Sequence, residues 1–409
     1  MSKGSVASHA ATTGIDLSRD PPDFSLVLGG PLYQLLRRAR LADDALMLQR
    51  RRIVVIALLA WLPLLLLAAL GGNLLGGDAA VPFLLDVDVH VKFLVVIPLL
   101  VAAELVVHQR MRAVARTFRD RHLVPDDAVA RLDAAVASAY RLRNSVLAEV
   151  LLIAFVYAVG ITVVWRHFGA IDAATWYATP VGGGGSSLTL AGAWYGYVSL
   201  PLFQFLLLRW YFRVFIWGRL LWQVSRIELN LVPTHPDRVG GLGFLANTVY
   251  AFIPVLLAHG ALLSGQLANQ IFHVGATLTQ FRLEILLLVI FLVALVVGPL
   301  LVFAPQLSRA KRAGLREYGT LAQRYVREFD AKWVHGDGSS DEQLLGSGDV
   351  QSLADLGNSF AVIQDMRVVP VTKQAMFQLG VATVAPLVPL VLTLMPLDEL
   401  LKRLLGILF

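Results

Sequence analysis

The chain has no cysteine among its 409 residues. That excludes disulfides, thiolate metal sites, iron–sulfur ligation and cysteine nucleophiles. Charge is scarce as well: 16% of residues are charged, against about 25% in soluble domains. With 56% hydrophobic residues and a mean hydropathy of +0.65, a water-soluble globule is excluded. Only six of the 35 basic residues are lysines, and the net charge is +6. In a membrane protein such an excess reports orientation rather than nucleic-acid binding, so no nucleic-acid partner is expected. The chain also lacks HExxH, GxSxG and any spaced carboxylate motif around a metal or isoprenoid phosphate. No catalytic residue and no cofactor is therefore expected. No alternation long enough for an α/β enzyme domain is present.

What is abundant is apolar sequence. A helix needs about 20 apolar residues to cross ~30 Å of hydrocarbon. Seven stretches qualify, at roughly 53 to 70, 93 to 108, 145 to 165, 194 to 217, 246 to 264, 284 to 305 and 376 to 395. The expected fold is all-α: a polytopic transmembrane helical bundle of about seven spans, with six as the alternative. The first run begins behind 52 residues, so no cleaved signal peptide is expected. With the N-terminus placed in the cytoplasm, the cytoplasmic segments 1 to 52, 109 to 144, 218 to 245 and 306 to 375 hold 28 of the 35 basic residues. The opposite loops hold only Lys92, Arg166 and Arg282. This positive-inside asymmetry predicts a cytoplasmic N-terminus.

Four regions follow. Residues 1 to 52 form a cytoplasmic N-terminal region, disordered over 1 to 22, in which Gly29, Gly30 and Pro31 introduce an interfacial amphipathic helix. Residues 53 to 305 form a core of six spans with a helical cytoplasmic hairpin at 109 to 144, where Asp126 is expected to cap the helix running into the third span. Residues 306 to 375 form a cytoplasmic helical region. There the sixth span continues toward Trp333 with a break at Pro305 possible, His335 to Gly348 is a polar linker, and Asp349 caps a short helix. Residues 376 to 409 hold the seventh membrane segment and an amphipathic tail from Leu397 to Phe409. The loop 166 to 193, with Gly182 to Gly185, reads as a flexible crossing.

Ionisable groups inside hydrocarbon cost about 2.5–3.5 kcal/mol each on insertion scales, so each needs a reason. Glu104 and His108 sit one turn apart on the second span. Glu149 lies one turn into the third, and Arg209 and Arg213 are i, i+4 on the fourth. The glutamates either pair with Arg209 and Arg213 to hold helices together, or line an ion or proton path. His259, five residues after Pro254, reads as a hydrogen-bonded interface group, with a proton relay as the alternative. Prolines at 98, 201, 299, 386 and 389 interrupt spans and free carbonyls that protein or water must satisfy.

The stretch Val81 to Phe93, VPFLLDVDVHVKF, alternates Asp86, Asp88, His90 and Lys92 with valine. As a strand all four share one face; as a helix they spread over an arc at the outer mouth of a longer second span. The set reads as a solvated vestibule wall or an inter-subunit salt bridge. A cation-attracting ring in an oligomer and a divalent-cation site are the alternatives.

Before the fifth span, PTHPDRVGGLGFL (233 to 245) has two stiffening prolines, polar groups at His235, Asp237 and Arg238, and glycines at 240, 241 and 243. It lacks the Lys-Ser/Thr and preceding strand of a phosphate loop. A tight elbow at the membrane face is expected, with ligand sensing or gating by His235, Asp237 and Arg238 as the alternative. This segment, LGSGDVQSLADL (345 to 356) and the closing PLDELLKRLLGIL resemble a family of bacterial multi-pass inner-membrane proteins of uncharacterised activity. The resemblance covers most of the chain from the first span onward. It implies a bacterial inner-membrane location and carries no site residues.

The leading expectation for function is an ion channel or ion transporter acting as a homo-oligomer on inorganic ions in the lipid bilayer. A pore lined by the second span would be set by Asp86, Asp88 and His90 outside and by Glu104 and Glu149 inside. A scaffold or signalling subunit of an envelope complex, with purely structural charges, is the alternative. An intramembrane enzyme ranks third.

Overall fold

A computed structural model describes residues 24–38, 48–76, 79–168, 175–181, 185–336, 344 and 346–393. The start (1 to 22), the tail Leu397 to Phe409, glycines 182 to 184 and most of the 335 to 348 linker lie outside the described residues. The structure is 78% helical with almost no strand. Six helices are long and apolar enough to cross a membrane, and a bent pair supplies a seventh candidate. The protein is thus a multi-pass membrane protein built from helices.

Helix α1 (Pro31–Arg38) starts on proline, whose missing N–H has no intrahelical partner at that position anyway. The first span is α2 (Gln49–Leu70). Its buried residues Arg52, Ile56, Ala60, Leu64 and Ala68 recur every fourth position, so one stripe faces the bundle while Leu58, Leu59, Leu62, Leu66 and Leu70 face outward. The second span is the long run α3 (Val87–Asp120). Next come α4 (Val129–Arg143) and α5 (Val146–Phe168), bent by 45° between them. Ser145 starts α5 by accepting the Ala148 N–H at 3.2 Å. After α5 the chain makes a short antiparallel hairpin, β1 (Ala178–Val181) with β2 (Gly185–Leu188), and enters α6 (Leu190–Val224).

Helix α7 (Leu242–Val274) runs through the bundle. A side chain at Gly260 would lie 2.0 Å from the Thr383 carbonyl, so only glycine lets the last helix cross there. Helix α8 (Leu278–Val334) has 57 residues and reaches about 85 Å, far beyond the bilayer. Helix α9 (Gly348–Gln364) folds back along its extension, and α10 (Lys373–Val391) is the last helix long and apolar enough to cross a membrane.

Several local expectations are corrected. Val81 to Phe93 is not a strand: Phe83–Leu85 is a 3-10 turn, and Asp86 caps α3 by accepting the Val89 N–H at 3.3 Å. One capping bond and continuity with a long buried helix outweigh the strand preference of the valines. Asp126 makes no capping bond; it opens a 3-10 turn after Pro125. Ser347, not Asp349, caps α9, because the Asp349 carboxylate is taken by Lys332 at 2.8 Å and the Trp333 indole at 2.9 Å. The irregular turn of α8 falls at Gly298–Phe303, around Pro299, just ahead of Pro305. The flanks of the glycine run are ordered by the hairpin, with Thr179 and Ser187 hydroxyls 2.9 Å apart across it.

Candidate functional site

Two polar clusters lie inside the bundle, one toward each end of α3. The first sits at the arginine-rich end. Glu104 of α3 binds Arg213 of α6 at 2.7 Å, Arg209 at 3.7 Å and Arg52 of α2 through its other oxygen. Arg209 reaches Glu149 of α5 at 3.3 Å. All five side chains are buried, and three guanidiniums face two carboxylates. Arg213 also stacks over Trp210, 4.6 Å from the ring centre. The glutamates therefore pair with Arg209 and Arg213, tying four helices together. The sequence reading missed Arg52, which looked like one of three flanking charges. Its signal was periodicity, since it shares the stripe of Ile56, Ala60 and Leu64.

The free oxygen of Glu149 accepts the Leu32 N–H at 2.7 Å, at the first turn of α1. A carboxylate there meets unsatisfied amides and the positive end of the helix dipole. The preceding residues are tied in too. The Phe24 N–H donates to the Arg112 carbonyl at 3.0 Å, the Phe24 ring stacks on Tyr140, and Arg143 donates to the Ser25 carbonyl at 2.5 Å. His108 does not join Glu104; its Nδ1 lies 3.0 Å from the Ser25 hydroxyl. So the segment 24 to 38 closes the charged cluster from the arginine-rich side. It is in contact with the bundle through these bonds.

The second cluster is built on the start of α3. Asp86 accepts from the Asn269 amide at 2.7 Å and the Trp176 indole at 2.9 Å. Asp88 binds Lys92 at 2.7 Å, and the Lys92 ammonium lies 3.4 Å from the Tyr195 hydroxyl and near the Tyr195 and Phe203 rings. His90 turns away: Trp61 donates to its Nδ1 at 2.9 Å, and Phe83 packs edge-on at 5.1 Å. Asp86, Asp88 and His90 thus diverge, as helical spacing requires, and do not form the divalent set. Among the described residues no group of three His, Asp or Glu could hold a metal ion.

Two features of this cluster are unusual. Lys92–Val96 and Tyr195–Ser199 are both π-helical turns, and Lys92 and Tyr195 face each other from them. Such turns concentrate at functional sites. In addition, Asp88 Oδ1 and His90 Nε2 are buried with no hydrogen-bond partner. A buried acceptor left open costs about 1–3 kcal/mol, more when charged.

From Lys92 to Glu104 is twelve residue steps along α3, about 18 Å. Phe93, Val96, Ile97, Leu100 and Val101 fill that interval, each no more than 3% exposed. Trp210 closes it from α6 by donating to the Leu100 carbonyl at 3.0 Å.

His259 of α7 is a helix-interface group. Its Nδ1 lies 2.7 Å from the Val255 carbonyl, which can only accept, so Nδ1 carries the proton and Nε2 accepts from the Tyr211 hydroxyl at 2.7 Å.

The elbow between α6 and α7 is wrapped around Asp237. Its carboxylate accepts the N–H groups of Val239, Gly241 and Gly243 at 2.8–3.1 Å, with His235 Nδ1 2.9 Å away. Gly240 and Gly241 have φ of 65° and 99°, and a side chain at Gly243 would lie 2.9 Å from the Asp237 carboxylate. Burial pushes the Asp237 carboxyl up, but the three amides and His235 outweigh it and hold it below the ordinary 3.8. Arg367 donates to the Asp237 carbonyl, and Arg238 pairs with Asp365 at 3.1 Å, fastening the elbow to the chain after α9. The anion-binding loop is thus filled by its own aspartate, as a tight elbow requires.

Comparison with protein-family models, curated proteins and solved structures found no match.

Proposed function

We propose that the chain is an ion-handling protein of a bacterial inner membrane, with the N-terminus cytoplasmic, and that exchange takes place at the Asp88–Lys92 pair. The observation that carries this reading is the open oxygen of Asp88. A half-buried carboxylate beside Lys92, with its inaccessible Oδ1 unpartnered and a π turn on each facing helix, has the acceptor needed to take a proton or small cation. The apolar interval below it favours a carrier over a water-filled hole through one protomer. A continuous conduction path would instead run between copies in a homo-oligomer. Basic-residue asymmetry supports the orientation, and the sequence resemblance supports the location.

Purified protein in liposomes tests this. Proton and alkali-cation flux is expected above that of empty vesicles and is expected to fall at least tenfold in Asp88→Asn and in Lys92→Gln. Glu317→Gln, exposed on the extension of α8, should retain full flux. Flux equal to empty vesicles for the wild type overturns the reading. The second reading, a scaffold, is favoured by the saturation of the other intramembrane charges: Asp86, Glu104 and Glu149 have both carboxylate oxygens engaged. Absence of flux together with a stoichiometric membrane partner would establish it.

A further inference from the structure

The inner half of α6 and the middle of α8 do not close on each other. They leave a groove of about 710 Å³, walled by Tyr211, Phe215, Gly218 and Trp222 from α6 and by Leu295 and Pro299 from α8. Its origin is local. Gly218 contributes no side chain, and the 3-10 turn at Gly298–Phe303 brings Pro299 opposite it, where an added Cβ would lie 3.6 Å from the proline ring. From Tyr211 to Trp222 the groove runs about 16 Å along α6, the depth of one leaflet of a ~30 Å hydrocarbon core. Phe215 and Trp222 are 57% and 49% exposed along it.

The end of the groove is basic. Arg219 lines it and uses one nitrogen on the Ser138 hydroxyl at 2.7 Å. Arg226 stacks over Trp222 at 5.2 Å, and Arg131 donates to the Arg226 carbonyl at 2.9 Å. Among the described residues none of these three arginines makes an ion pair, in contrast with Arg52, Arg209 and Arg213. Glu228, exposed two residues beyond Arg226, makes none either. Asp127, exposed one turn before Arg131, makes none with it, so three guanidiniums without an ion-pair partner leave a positive mouth beside an indole, at the level where headgroups lie.

We propose that this groove binds an anionic glycerophospholipid, with one acyl chain along Phe215, Gly218 and Leu295 and the phosphate on Arg219 and Arg226. Any lipid tail fits an apolar groove; the uncompensated arginines make the site selective for a negative headgroup. The proposal is independent of the transport reading and needs no flux.

Native mass spectrometry of the purified full chain in neutral detergent tests it, with phosphatidylglycerol and phosphatidylcholine of equal chain length. Phosphatidylglycerol is expected to bind at least tenfold more tightly, and the Arg219→Gln, Arg226→Gln double variant to bring it to the phosphatidylcholine level. Gly218→Leu, which fills the groove floor without altering charge, should weaken both lipids. Arg316→Gln, which removes one charge on the distant part of α8, should leave the preference intact. Equal binding of the two lipids by the wild type overturns the proposal. So does an undiminished preference in the double variant or, should that variant not fold, undiminished binding in Gly218→Leu.

Discussion

Asp237 shows how one side chain sets a local fold. Its carboxylate replaces the missing partners of three amides in a glycine-rich turn, and hydrogen bonds to a charged group contribute about 1.5–3 kcal/mol. Its folded pKa is depressed, so its contribution is complete above the ordinary carboxylate value and is lost as pH falls through the depressed one. Thermal melts of wild type and Asp237→Asn should therefore differ by a constant amount near neutrality, with the variant less stable. That gap should close only below pH 3.8. At this scale the sequence was a good guide to which residues matter and a poor one to their partners. Glu104, Glu149, Arg209 and Arg213 stood out because lipid penalises charge. Arg52 did not, because a basic residue at a span end has an ordinary explanation. The divergence of Asp86, Asp88 and His90 depended on whether the backbone was strand or helix, and composition alone does not decide that.

Among the elements, the segment from Phe24 to Arg38 is tied to the bundle by a few named polar contacts. One of its anchors is the Leu32 N–H on Glu149 of α5. Glu149→Gln keeps an acceptor but removes the charge, a loss of about 1.5–3 kcal/mol, which corresponds to roughly 10- to 100-fold in an opening equilibrium. Hydrogen exchange should rise by that factor in residues 24 to 38 and stay unchanged in α7; a uniform rise would mean that the whole bundle, not this segment, had loosened. The helices themselves were legible, because each span is a long apolar run and each end carries charge or proline. The 45° bend at Asn144 and Ser145, the π turns at Lys92–Val96 and Tyr195–Ser199 and the β1–β2 hairpin were not. The turn at Tyr195–Ser199, for one, is held by a neighbour in space, Ser199 donating to the Ala60 carbonyl at 2.6 Å.

For the molecule as a whole, the absence of cysteine becomes an experimental advantage. Single cysteines report sidedness without a background to remove. With the N-terminus cytoplasmic, Arg316→Cys on the extension of α8 should react with a membrane-impermeant maleimide only after cells are permeabilised. Thr279→Cys, at the opposite end of the same helix, should react in intact cells. The reverse pattern would invert the topology. Both positions are solvent-exposed and neither contributes to the clusters inside the bundle.

The buried network of Arg52, Glu104, Glu149, Arg209 and Arg213 also constrains how the protein is made. Synthesis delivers Arg52 and Glu104 first, on adjacent hydrophobic segments, so the earliest hairpin leaves the ribosome already neutralised. Glu149 follows, and only then does the fourth segment arrive with two guanidiniums that would be expensive in lipid by themselves. By that time both acceptors are waiting. In chain order Arg52 and Glu104 come as a pair and Glu149 precedes Arg209, so the two guanidiniums of the fourth segment enter with their acceptors already in place.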